Sequence, residues 1–96
     1  MAIRRLVIDV LIPHEPDETV YAEKIAALDN IDGVTLRVTE VDERTKTTEI
    51  TIEGEAVSFE SVKKAIEDIG GSVHSIDQVS AGSRIVEIQT SDNGSR

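Results

Sequence analysis

Carboxylates are the side chains of this 96-residue sequence with the clearest chemical potential, because 19 acidic residues accompany only 10 basic ones. Asp9 lies in the middle of an apolar segment, and Asp77 lies in the last long segment with β-branched residues. Glu15, Glu40 and Asp42 lie near the ends of other segments. Hard cations such as Ca²⁺ prefer oxygen ligands. These five carboxylates are therefore our candidate metal ligands, with Ca²⁺ as the candidate ion, although their spacing differs from that of an EF-hand loop.

Each group of carboxylates has an alternative explanation that needs no cation. A carboxylate among apolar neighbours is costly unless it is paired, so Asp9 could instead form an ion pair with Arg5 or Arg37. The acids around the second hairpin, among them Glu43 and Glu49, could form a solvated acidic turn. An acidic surface also suits a salt-rich cytosol, where screening relieves self-repulsion.

The sequence offers no convincing catalytic arrangement. Ser75, His74 and Asp77 are residue types found in a catalytic triad, but neighbours on a strand point to opposite faces, so His74 is badly placed to serve Ser75. The other histidine, His14, is far away in the sequence and makes no metal-spacing motif with His74. No glycine-rich loop opens a helix, as phosphate binding would require. We therefore expect a protein that is not an enzyme.

Composition excludes several classes of partner. A net charge of −9 and a single Tyr, a single Phe and no Trp argue against nucleic-acid binding and against anionic membranes. The absence of cysteine excludes disulfides and thiolate metal sites. No apolar run reaches the length of a membrane span, and the N-terminal residues lack a signal-peptide pattern. We therefore expect a cytoplasmic protein.

The hydrophobic periodicity predicts a β-α-β-β-α-β chain, in which the elements position the carboxylates. Ser58 is the predicted N-cap of the second helix, which is the most clearly amphipathic segment. Gly54 ends the third strand. The predicted strands cover residues 3–12, 34–41, 47–53 and 72–79, with a short extra strand over 85–88, and the predicted helices cover 16–28 and 59–69.

This element order is that of an α+β, ferredoxin-like fold, with both helices on one face of an antiparallel sheet and the strand order 4-1-3-2. The apolar positions of the first strand should face the helices, which leaves Asp9 on the open face. We expect Val7, Leu11 and Val41 on that open face too, where they could pair with another subunit or stay wet. A single domain over residues 1–90 and a flexible tail over 91–96 complete the prediction.

Two motifs in the sequence resemble an archaeal family, domain-of-unknown-function family 211. They are D-x-L-x-P-H-E-P from Asp9 and G-G-S-x-H-S-x-D-x-V-x-A-G from Gly70, and the similarity runs from Arg4 to about Glu87. The resemblance implies a ferredoxin-like subunit that assembles into homo-oligomeric rings or calcium-responsive polymers, with divalent cations in some members and no enzyme activity. The family pattern is matched at Asp9, His14, Glu15, Glu40, Asp42, His74, Ser75, Asp77 and Gly82. It is not matched at Gln78, where an acid is usual, which weakens the case for a cation site near that position.

Together these inferences favour a cytoplasmic protein that assembles with itself, with Ca²⁺ bound by carboxylates at or near the subunit contacts. The alternative is a regulatory domain similar to ACT domains, which would bind a small metabolite between paired subunits.

Overall fold

The computed structural model describes residues 2–88 and has four strands and two helices within them. In chain order they are β1 (Ile3–Pro13), α1 (Glu18–Ala26), β2 (Ile31–Val41), β3 (Thr45–Gly54), α2 (Phe59–Asp68) and β4 (Ser72–Ala81). The strands form one antiparallel sheet in the order β2-β3-β1-β4, so the ferredoxin-like fold and the predicted strand order are confirmed. The predicted domain end at residue 90 and the tail over 91–96 lie outside the described residues.

The core lies between the sheet and the helices. β1 contributes four fully buried apolar side chains from one face, namely Leu6, Ile8, Val10 and Ile12. Buried residues of the neighbouring strand and of both helices close over them, namely Ile50, Ile52, Tyr21, Ile25, Val62 and Ile66. This packing confirms the predicted orientation of β1 and therefore places Asp9 on the other face.

Side-chain caps set the starts of both helices. The Asp17 carboxylate accepts a hydrogen bond from the Thr19 amide at 3.0 Å, so α1 begins at Glu18, two residues later than predicted. The Ser58 hydroxyl accepts from the Ser61 amide at 3.2 Å, which confirms the predicted cap of α2. Neither helix has the length and apolar character that crossing a membrane requires.

The predicted strand over residues 85–88 is wrong. Within residues 2–88 this segment has no ladder partner. Gly82 turns the chain after β4 with a φ of +114°. Side chains of β1 contact the chain after β4 instead. The Arg4 guanidinium donates to the Ser83 carbonyl at 2.8 Å, and the Arg5 guanidinium donates to the Glu87 carboxylate at 2.9 Å.

Candidate functional site

The open face of the sheet, which we define as the face opposite the helices, carries a polar row across all four strands. The strand register aligns Arg37 of β2, Glu49 of β3, Asp9 of β1 and Ser75 of β4. Arg37 Nη2 lies 2.9 Å from Glu49 Oε1, whereas Asp9 is half-buried beside the same glutamate. Two carboxylates that face each other across a ladder repel, so the row favours an additional positive charge.

The arginines considered as partners of Asp9 bind other carboxylates. Arg5 Nε lies 2.7 Å from Glu53 Oε2, and Arg5 Nη1 lies 2.9 Å from Glu87 Oε1. The hydrogen bonds to Glu87 and to Glu53 raise the pKa of Arg5, and the bond to Arg5 lowers the pKa of Glu87. Within residues 2–88, Asp9 makes no ion pair, so its predicted alternative pairing with Arg5 or Arg37 is not formed.

Two of the three register shifts between β1 and β4 add residues to β4, at Asp77 and at His74. Strict alternation would place His74 on the same face as Ile76. The shift at Asp9 and Val10 instead lets His74 line a depression of about 250 Å³ on the open face. The other residues that line this depression are Asp9, Leu11 and Thr47. Strand alternation alone does not predict which face His74 takes here, because a β-bulge adds one residue to a strand without a local sequence signal.

Asp77 lies at the second register shift, on the exposed edge strand β4. Its carboxylate accepts a hydrogen bond of 2.8 Å from the Ser75 hydroxyl, so Ser75 is oriented by Asp77. We call Asp9 and Asp77 the sheet group.

The rim group, defined as Glu15, Glu40 and Asp42, lies toward the end of the sheet where β1 ends. His14 Nε2 donates to the Asp42 carbonyl at 2.9 Å, because a carbonyl oxygen can only accept, and this bond joins the loops that carry Glu15 and Asp42. A register shift in β2 pairs Glu40 with Thr47, which places Glu40 on the open face. All three carboxylates are exposed.

The same register shift corrects the prediction for Val41. Val41 is opposite Lys46, whose ammonium lies 2.6 Å from the Glu18 carboxylate of α1. Val41 is therefore on the helix side of the sheet rather than on the open face. The bond to Lys46 lowers the pKa of Glu18.

None of the five predicted carboxylates has a counter-charge from an ion pair within the part of the chain that the structure describes. That part also contains no group of three or more His, Asp or Glu side chains arranged to hold a metal ion. A cation bound by these acids would therefore need further ligands from water, from backbone carbonyls or from a second copy.

Comparison with known proteins agrees with the motifs. A profile of the DUF211 family, described as "Uncharacterized ArCR, COG1888", matches residues 4–94. The chain is also 48% identical over 85 residues to "Uncharacterized protein MJ0319" of Methanocaldococcus jannaschii. The aligned residues cover 88% of each of the two chains. On both grounds, the chain belongs to the DUF211 family.

Proposed function

We propose that this protein is a non-enzymatic, cytoplasmic protein that assembles with itself when a divalent cation, Ca²⁺ above all, neutralises carboxylates at the contacts between copies. The observation that carries the proposal is the state of Asp9. This carboxylate is half-buried in the central part of the sheet, beside Glu49, and no cation within residues 2–88 pairs with it. Such a group favours an external positive charge.

The surface around Asp9 supports contact between copies. Leu11 is 40% exposed on the open face beside Asp9. Ile76 and Val79 of the edge strand β4 are 47% and 51% exposed, and their register with Ile8 and Leu6 places them on the helix side of that edge. β2 and β4 are both edge strands, whose outer backbone groups can pair with another chain. A small domain gains stability when such surfaces are covered by another copy.

The charge of the chain supports a link between assembly and cation binding. Each copy carries a net charge of −9, so two copies repel each other before they meet. Close approach of the sheet and rim groups would add local repulsion, which a divalent ion with oxygen ligands removes. Because the ion then binds the assembled form better than the separate copies, calcium raises the degree of assembly by mass action.

Sedimentation velocity and light scattering of the full chain test this proposal. The protein is compared in EDTA, in Ca²⁺ from micromolar to millimolar levels, and in Mg²⁺ or NaCl at equal ionic strength. We expect Ca²⁺ to increase the assembled fraction reversibly and the NaCl control to leave it unchanged. An assembly state that is the same with calcium and with EDTA would contradict the proposal.

Charge-neutralising variants identify the ligands. We expect Asp9→Asn, and separately the triple variant of the rim group with Glu15→Gln, Glu40→Gln and Asp42→Asn, to reduce the calcium response. Glu23→Gln is the matched control, because it removes one charge from an exposed position on α1, away from the open face. A loss of response in the control as large as in Asp9→Asn would show that only total charge matters. Thermal-shift measurements with amino acids cover the metabolite-binding alternative in the same preparation.

A further inference from the structure

We propose that residues 85–88 of one copy add a short strand to the free edge of β4 in a second copy. This contact deepens the proposed function, and it rests on it because copies of the chain must associate. Two matching pairs of exposed apolar side chains carry the proposal, one pair on each of the surfaces that would meet.

The donor surface is the segment 85–88, which has the residue types of a strand but no partner strand. Three of its four residues are β-branched, which favours a strand. Within residues 2–88 the segment belongs to no ladder, and Val86 and Ile88 are 69% and 66% exposed. Residues two positions apart share one side of an extended chain. The segment can therefore offer both backbone hydrogen bonds and an apolar side to the edge of a sheet.

Contacts with β1 hold the segment away from its own β4. The Gly82 amide donates to the Ala2 carbonyl at 2.9 Å, which leads the chain past the start of β1. Further along, the Arg5 guanidinium donates to the Glu87 carboxylate at 2.9 Å. Because Glu87 alternates with the two exposed apolar residues, an extended segment can keep this ion pair on one side and leave its apolar side free.

The acceptor surface is the edge strand β4, which carries an apolar strip of matching spacing. Ile76 and Val79 are 47% and 51% exposed, and their register with Ile8 and Leu6 puts both on the helix side of the edge. The bulge between them places them two ladder positions apart, as their partners on β1 are. The two apolar residues of segment 85–88 have the same interval. In either strand direction each of them would lie beside one apolar residue of β4, and such cross-strand pairs stabilise a sheet.

The other edge strand, β2, fits the segment less well. Val34 and Leu36 already pack against the core, and Val41, at the end of the strand, is the one large apolar side chain of β2 that is exposed. A strand added there would meet one apolar residue rather than two. The proposal therefore assigns the segment to β4.

The two surfaces lie on different parts of the chain, so the contact is head-to-tail. Each copy donates one segment 85–88 and accepts another along its β4. A head-to-tail contact closes into a ring when its rotation allows and otherwise continues as a filament. The same contact can therefore join more than two copies.

Disulfide cross-linking tests the contact directly, because the chain has no cysteine. Val79→Cys and Val86→Cys are mixed as two single variants, with Ca²⁺ and with EDTA, and oxidised, so that a disulfide between the two positions can only join separate chains. Ile76→Cys replaces Val79→Cys in a second mixture, because the strand direction decides which of them lies beside residue 86. We expect mass spectrometry to identify the mixed disulfide in at least one mixture. Glu23→Cys, at an exposed position of α1, is the matched control and should give only background cross-linking with Val86→Cys.

A serine double variant tests the apolar side of the segment. Val86→Ser with Ile88→Ser should weaken association in sedimentation velocity by about tenfold or more, because two apolar side chains lose their burial at the contact. Val20→Ser is the control, since Val20 is 40% exposed on α1 and should leave association unchanged. Thermal melting of the dilute chain should be the same for the double variant and the unmodified chain, because both replaced side chains are exposed.

Three results would overturn the proposal. They are cross-linking no stronger than the Glu23→Cys background in both mixtures, unchanged association of the serine double variant, and a disulfide that forms only within single chains carrying both Val79→Cys and Val86→Cys. The last result would show that the segment folds back on its own β4. Calcium separates this contact from the proposed function: assembly that responds to Ca²⁺ equally in the serine double variant contradicts only the segment contact, whereas cross-linking that is the same in Ca²⁺ and in EDTA, in an assembly that ignores calcium, contradicts only the calcium proposal.

Discussion

At the scale of single residues, Tyr21 shows how one polar atom joins both helices of the core. Its ring is fully buried, and its hydroxyl donates to the Ile69 carbonyl at the end of α2 at 2.8 Å. That carbonyl belongs to the last turn of a helix, where no intrahelical donor is available. The hydroxyl therefore satisfies a helix end and fixes α1 against it.

Tyr21→Phe should lower the free energy of unfolding at pH 7 by about 1 kcal/mol, the usual net value of one hydrogen bond. Burial also raises the pKa of Tyr21 above its ordinary value of 10.0. The hydrogen-bonded neutral form therefore stabilises the fold fully below pH 10, and this contribution is lost as the pH rises through the folded-state pKa. Because the chain has one tyrosine, absorbance of the tyrosinate during alkaline titration measures this pKa directly. A midpoint at or below 10 in the folded protein would contradict the expected sign.

The ion pair between Glu18 and Lys46 gives a second prediction, on the acid side. The ammonium lowers the pKa of Glu18 below its ordinary value of 4.5, so the pair stabilises the fold above that pH and is lost as the pH falls through the folded-state pKa. Denaturant melts between pH 7 and pH 3 should show a smaller acid-induced loss of stability in Glu18→Gln than in the unmodified chain. Glu23→Gln, at an exposed position of the same helix, should lose as much as the unmodified chain.

The sequence predicts the position of a side chain well where alternation along one strand determines its face. It predicts the position poorly where pairing with a distant strand determines its neighbours. The side of the sheet that Asp9 occupies follows from the pattern of β1 alone. Which acid binds Arg5 depends on the register with β3 and on the path of the chain after β4, and neither is visible locally. Val41 was misplaced by simple alternation, because it follows a register shift.

At the scale of elements, strand pairing extends the strands beyond their local signals. The run Asp29 to Gly33 has the residue types of a turn, yet β2 begins at Ile31 because it pairs with Gly54 at the end of β3. The turn is confined to residues 27–30, where Asn30 has a φ of +67°. Conversely, three of the four residues 85–88 are β-branched, yet the segment remains outside the sheet, since strand propensity is realised only beside a partner strand.

Gly54 gives the sharpest prediction at this scale. A methyl group on Gly54 would lie 2.0 Å from the backbone oxygen of Asn30, and backbone atoms cannot move aside as a flexible side chain can. Gly54→Ala should therefore lower the free energy of unfolding by about 3 kcal/mol, the upper end of overpacking costs. Gly33→Ala is the control, because nothing lies within 4 Å of the added methyl group. Equal stability of the two variants in urea melts would show that the close approach has no energetic weight.

At the scale of the whole molecule, the net charge of −9 acts across a body of only 37 × 34 × 18 Å. At about 10 mM ionic strength the Debye length is about 30 Å, so nearly all charges of one copy interact, and the excess of acid makes the sum repulsive. At about 150 mM it is about 8 Å, and only near neighbours interact. The excess acid should therefore destabilise the folded chain at low salt and also keep copies apart.

The melting temperature should accordingly rise between 10 and 150 mM NaCl, by about 5 °C if screening contributes about 1 kcal/mol. Exposed ion pairs such as the one between Arg37 and Glu49 weaken in salt. A flat or falling melting temperature would therefore mean that the stabilisation lost from ion pairs exceeds the repulsion that salt relieves. Calorimetry at two protein concentrations separates this effect from assembly, because an intramolecular effect does not depend on concentration. Calcium at 1 mM adds only about 3 mM of ionic strength, too little to change the Debye length at 150 mM. Any stabilisation or assembly that it produces there would come from bound ions rather than from screening, which is the distinction that the proposed function requires.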